Sequence, residues 1–108
     1  MSVLGGSGWY AVRCVFEAQR GVFEERITLW RADSFERAIE RAEDEAREYA
    51  ATINDSEDAY LGLAQAYRLY DTPGDGAEVF SLMRTSRRTP ESYLDHFFDT
   101  GKERQQTI

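Results

Sequence analysis

Between Asp33 and Ile53 the apolar residues keep one period. Phe35, Ala38, Ile39, Ala42, Ala46, Tyr49, Ala50 and Ile53 fall at offsets 0, 3, 4, 7, 11, 14, 15 and 18, the spacing of one face of a helix with about 3.6 residues per turn. Asp33 stands where a capping side chain can accept from the first free amides, and Glu36, three residues on, can reach back. Half of the stripe is alanine, so this helix can lie close to whatever it covers, while its other side is charged. A helix of this kind needs a flat apolar partner, which the flanking segments supply.

Trp9 to about Ala18 alternates. Tyr10, Val12, Cys14, Phe16 and Ala18 share one face, and Trp9, Ala11, Arg13, Val15 and Glu17 the other, the period-2 pattern of a strand. Gln19-Arg20-Gly21 reads as a tight turn. Val22 to Arg31 returns, with Phe23, Ile27 and Leu29 on one face, interrupted by Glu25, and Val22, Glu24, Arg26, Thr28 and Trp30 on the other. The apolar sets of the two strands are expected to face the helix together. Asn54 to Asp58 is a polar break. Tyr60–Tyr70 reads as a third strand, since Gly62 disfavours a helix interior. Leu61, Leu63, Tyr67 and Leu69 form its apolar face, on which Gln65 is a polar residue, either hydrogen-bonded there or lining a pocket.

A turn dense in breakers, Asp71-Thr72-Pro73-Gly74-Asp75-Gly76, precedes Ala77–Arg84, whose alternation predicts a fourth strand. Thr89-Pro90-Glu91 is a helix start, with a capping threonine and proline at the first helical position. That helix is expected to reach about Asp99 and to bury Tyr93, Leu94, Phe97 and Phe98. The reading is an α+β domain, β-β-α-β-β-α, with a four-stranded, mainly antiparallel sheet and both helices on one face. Residues 1–8 form a glycine-containing leader expected to be flexible, 9–100 a single domain, and 101–108 a polar tail.

Trp9-Tyr10-Ala11-Val12-Arg13 opens the hairpin, and Glu24-Glu25-Arg26-Ile27 lies in its return strand. Gly62-Leu63 stands early in the third strand, and Gly76-Ala77-Glu78-Val79-Phe80-Ser81 runs into the predicted fourth. In these stretches the chain resembles the bacterial family catalogued as domain of unknown function 4288, over about residues 9–100. The resemblance implies a small α+β domain. It brings no catalytic or binding residues, because the family has none assigned.

The charge is unevenly placed. The whole chain carries −7. Asp33 to Asp58 holds ten acidic residues against Arg37, Arg41 and Arg47, which accounts for all of it. Such a surface repels nucleic acid and attracts basic partners; the plainer reading is a solvated helix face laced with ion pairs. The N-terminus lacks the pattern of a signal peptide, and no apolar run approaches the ~20 residues of a membrane span. One cysteine precludes an internal disulfide. The expectation is a cytoplasmic protein that binds neither membrane nor nucleic acid.

Candidate chemistry is sparse. Cys14 sits between apolar neighbours without a cation, the setting of an inert thiol. His96 is the single histidine, and catalysis would need it beside Cys14 with a third group to orient it. Glu17, Glu24 and Glu25 are matched by Arg13, Arg26 and Arg31, which points to cross-strand ion pairs rather than acid–base work. Arg84, Arg87 and Arg88 precede a helix start and form the best anion site in the chain, or else a solvated loop. No catalytic set, metal site or cofactor is expected. Trp9, Val15 and Trp30, with Ala11, Ala64 and Ala66, are expected on the uncovered face of the sheet, a self-association surface for a homodimer. The leading expectation is a protein-interaction module, immunity-like or an adaptor, that binds a basic partner through Glu40, Glu43, Asp44 and Glu48. The alternative is a small-molecule-binding domain or minor enzyme with a pocket between sheet and helices near Gln65, Tyr67 and His96.

Overall fold

The computed structural model describes residues 7–54 and 59–104. The expected leader, the polar break after the long helix and the end of the tail fall largely outside these residues. Two long strands, β1 (Gly8–Gln19) and β2 (Val22–Ala32), form the hairpin. They are followed by α1 (Phe35–Asn54) and β3 (Tyr60–Arg68). The sheet has three strands in the order β2-β1-β3, antiparallel throughout. The fold is thus α+β, with β1 in the middle and α1 across one face.

The alanine stripe does what its spacing implies. Ala38, Ala42, Ala46 and Ala50 are at most 1% exposed and pack on Tyr10, Val12, Cys14 and Phe16 of β1. The start of α1 is one residue later than expected. Ser34, rather than Asp33, is the cap: its Oγ accepts from the Arg37 amide at 3.0 Å. Phe35 remains largely exposed, with its ring edge-on to Tyr10 at 5.0 Å.

The largest departure from the sequence pattern concerns the faces of β2. Gln19 pairs with Val22 across the turn, but the next pair is Glu17 with Phe23. Ala18 is therefore a bulge, one extra residue on β1. Because side chains alternate with period 2, a one-residue slip moves a whole strand's pattern to the opposite face. Without the bulge, Cys14 would face Ile27 and Val12 would face Leu29. With it, the partners are Arg26 and Thr28, and Tyr10 pairs with Trp30. Phe23, Ile27 and Leu29, expected in the core, lie on the open face and are exposed. Trp30, expected on the open face with Trp9 and Val15, packs instead against the core beneath α1. There its indole donates to Thr28 Oγ1 at 2.7 Å, and the Arg41 guanidinium lies 5.1 Å from its ring.

β3 carries a second irregularity. Cys14 pairs with Ala64 and Phe16 with Tyr60, so Leu61, Gly62 and Leu63 together oppose Val15. Gly62 absorbs the distortion at φ 79°, a conformation that costs glycine little and other residues more. The shift is even, so one face is kept along the strand, but it is the opposite of the one expected: Tyr60, Ala64 and Ala66 face the helix, while Leu61 and Leu63 of the expected apolar face are exposed.

The expected fourth strand is not in the sheet. After the turn, where the Ala77 amide donates to the Gly74 carbonyl at 3.0 Å, residues 77–88 form no ladder. Of these, residues 78–80 lie over the open face. Phe80 sits 6.0 Å from the Tyr67 ring and 5.1 Å from the Arg13 guanidinium, and Tyr67 donates to Glu78. Beneath this crossing, Ala11 is fully buried although it is on the face away from α1. The second helix is short: α2 (Pro90–Tyr93), capped by Thr89 Oγ1, runs into a π-type turn at Leu94–Phe98. It does not join α1 on the sheet. Leu94, Phe97 and Phe98 are exposed rather than buried.

Candidate functional site

On either side of the alanine stripe, α1 is clasped to the sheet by polar contacts. Residues flanking a helix's buried line can reach the neighbouring strands without entering the core. Toward β2, the Arg26 guanidinium meets the Glu45 carboxylate as a fork, at 2.9 and 3.0 Å, and lies 3.7 Å from the Tyr49 ring centroid. Tyr49 donates to Glu24 Oε1 at 2.7 Å. Toward β3, Tyr60 donates to Glu43 Oε2 at 2.6 Å. The sequence order places Glu24 and Arg26 among cross-strand pairs and Glu43 on the outer surface; the structure instead turns all three toward α1 or β3. A usable signal was Glu45 and Tyr49 four apart beside the stripe, which puts an acid and an aromatic on one flank of the helix.

The clasps have electrostatic consequences. Burial opposes the Arg26 charge, but the Glu45 hydrogen bonds and field overcome it and raise its pKa. Burial, then the bond to Glu43, pushes the Tyr60 phenol far up. Burial likewise raises Tyr49, helped by Glu24. Cys14, under the helix, is raised chiefly by burial and further by the nearby Glu43 and Glu45, against the Tyr60 hydroxyl beside it and the Arg26 charge. A buried thiol held protonated is a poor nucleophile. His96 does not approach it: it stacks edge-on to Phe97 at 4.4 Å on the exposed C-terminal turn.

The four acids expected to form one partner surface are divided. Glu43 turns inward to Tyr60. Glu40 pairs with Arg37, and Asp44 with Arg47 at 3.3 Å, while all four of these side chains stay largely exposed. Glu48 is exposed. With Glu36, also exposed, they make a row: Glu36, Glu40, Asp44 and Glu48 are each four apart on the outer side of α1. Such a row runs about 18 Å along a helix. Arg41 is drawn away from it, donating to the Arg31 carbonyl at 2.7 Å.

Arg84 and Arg88 gather round one aromatic side chain, with guanidinium carbons 4.2 and 5.8 Å from the Phe97 ring. Arg84 also donates to Tyr93 Oη at 2.8 Å and Arg88 to Ser92 Oγ at 3.2 Å. Arg87 is exposed. The open groove here, about 400 Å³, is lined by Arg88, Thr89, Glu91, Ser92, Asp95 and His96. Its two acids offset the cations. Gln65 and Tyr67, expected beside His96, are not part of it: Gln65 accepts from Arg13, and Tyr67 is engaged by Glu78 and Phe80. Trp9 and Val15 are half-buried on the open face.

Among the described residues no group of three or more His, Cys, Asp or Glu converges as metal ligands. No described helix is long and apolar enough to cross a membrane. Comparison with curated proteins and with solved structures found no match. Residues 9–81 match the family described as Domain of unknown function (DUF4288). The matched span ends short of the expected residue 100. It contains the hairpin, α1, β3 and the segment that crosses the open face, and stops before Leu82. On the strength of that match, over most of its length, the chain belongs to the DUF4288 family.

Proposed function

We propose that the protein is an interaction module that binds a basic protein partner through the outer side of α1, in the manner of an immunity protein or adaptor. The observation that carries this reading is the row Glu36, Glu40, Asp44 and Glu48, all exposed on a helix that is clasped on both flanks. A rigid line of carboxylates steers and orients a cationic surface better than a mobile acidic loop, because the charges need no ordering on binding. Glu43 is left out of the footprint and Glu36 is added.

The test is a tagged pull-down from the cells that make the protein, with a variant carrying Glu36→Gln, Glu40→Gln, Asp44→Asn and Glu48→Gln as control. A stoichiometric basic partner, lost from the variant and at high salt, supports the reading. Associations unchanged in the variant would refute it.

The open face of the sheet supports a second element, self-association as a homodimer. Its footprint includes Trp9 and Val15, with Phe23, Ile27, Leu29, Leu61 and Leu63 in place of Trp30. An exposed apolar face of this kind is a common mark of an interface.

A further inference from the structure

The open face is covered at one end only. Phe80 and Glu78 close the end at Tyr67 and Arg13. On the rest of the face Phe23 (60% exposed), Ile27, Leu29, Leu61 and Leu63 (54%) point outward, with Glu25 and its ion-pair partner Arg13 among them. The segment that made the crossing then leaves the sheet carrying its own apolar residues into solvent: Leu82, Met83 (94%), Leu94, Phe97 and Phe98 (75%). Aromatic contacts in this arm are internal, between Phe97 and Tyr93, His96, Arg84 and Arg88. One chain therefore presents two uncovered apolar surfaces, one of them continuous with the segment already seated on the other.

We propose that the arm, residues 82–98, docks on the uncovered half of the open face of a second copy, each copy exchanging its arm with the other. Continuity is the first argument: residues 78–80 already bind this face, so the arm extends an existing contact. Area is the second. At roughly 200 Å² for a fully exposed large side chain, the arm and the face each present on the order of 500 Å². Two reciprocal dockings then bury on the order of 2,000 Å² in all, at the upper end of stable, standard-size interfaces. Reach is the third, since the chain from Phe80 to the start of α2 spans up to about 30 Å when extended. Exchange of an element that its own fold leaves undocked is a low-cost route to a closed two-fold dimer.

This inference rests on the reading of the open face as the self-association surface, and the experiment separates the two. Light scattering on the full-length protein, at tens of micromolar, compares wild type with an arm variant (Phe97→Asp with Phe98→Asp), a face variant (Leu63→Asp) and their equimolar mixture. All altered residues are exposed, and circular dichroism checks that each variant stays folded. The expected result is a wild-type dimer and at least about tenfold weaker dimerisation in either variant. Dimers should partly return in the mixture, where an intact arm meets an intact face. A dimer unaffected by the arm variant overturns arm exchange and leaves self-association standing. A mixture no better than its components does the same. A monomeric wild type overturns both.

Discussion

The clasp at Arg26 makes a prediction that can be worked through. Arg26→Ala removes the two-pronged hydrogen bond to Glu45 and the stacking on Tyr49. The Arg26 and Glu45 side chains are 27% and 32% exposed, so the pair is neither fully screened nor fully desolvated. A charge-assisted fork in that setting contributes about 1–1.5 kcal/mol, after discounting for water. The cation–π contact adds about 0.5–1 kcal/mol, and the aliphatic stem packed beneath α1 adds a similar amount. The expected loss is about 2–3.5 kcal/mol, which in a chain of this size lowers Tm by about 8–15 °C. Arg26→Lys keeps the charge but loses the planar fork and stacking, and should cost about half as much. A double-mutant cycle with Glu45→Ala, read by urea unfolding, should show a coupling of about 1 kcal/mol. Wild-type stability in Arg26→Lys, or no coupling in the cycle, would refute a role for the Arg26 fork in holding α1.

Two further predictions concern the same core. Ala46→Leu forces a large side chain between α1 and β1 at a position only 1% exposed; it should destabilise by about 3 kcal/mol in thermal unfolding, and an unchanged Tm would mean that the helix stands off the sheet. Cys14, Tyr49 and Tyr60 all have raised pKa values, with burial the leading cause. The folded chain therefore keeps protons that the unfolded chain releases from about pH 8.5 for the thiol and about pH 10 for the phenols. Their contribution to stability is whole below those values and lost as pH rises through the folded ones. The decline should approach about 1.4 kcal/mol per pH unit for each proton retained. Urea midpoints from pH 8 to 11 should fall, and Tyr60→Phe should remove part of the slope above pH 10. A flat profile would contradict the burial of these groups.

The acidic excess was legible as a charge count, and so was the segment that holds it. Which acids stay available was not. Glu43 and Glu45 are one residue either side of Asp44, yet both are engaged with the sheet because they flank the stripe, while Asp44 points out. That distinction depends on where Tyr60 and Arg26 arrive from other strands. The C-terminal arm misled for a related reason. Val79 to Met83 alternates like a strand, but alternation describes only the segment itself. A strand also needs an edge to pair with, and here Phe80 is engaged on the sheet's face instead.

By itself the sequence determined α1, the three strands and the turn between β1 and β2, because helix and strand periods are local properties of consecutive residues. It also determined the net charge and its concentration between Asp33 and Asp58. Only the tertiary structure decided which face of β2 is covered. Either register satisfies local preferences. The bulge at Ala18 selects the one that brings Arg26 and Glu24 to α1 and leaves Phe23, Ile27 and Leu29 outside. Strand parity is a relation between two chain segments, so one unpaired residue in a hairpin reverses it while leaving the pattern of each strand unchanged.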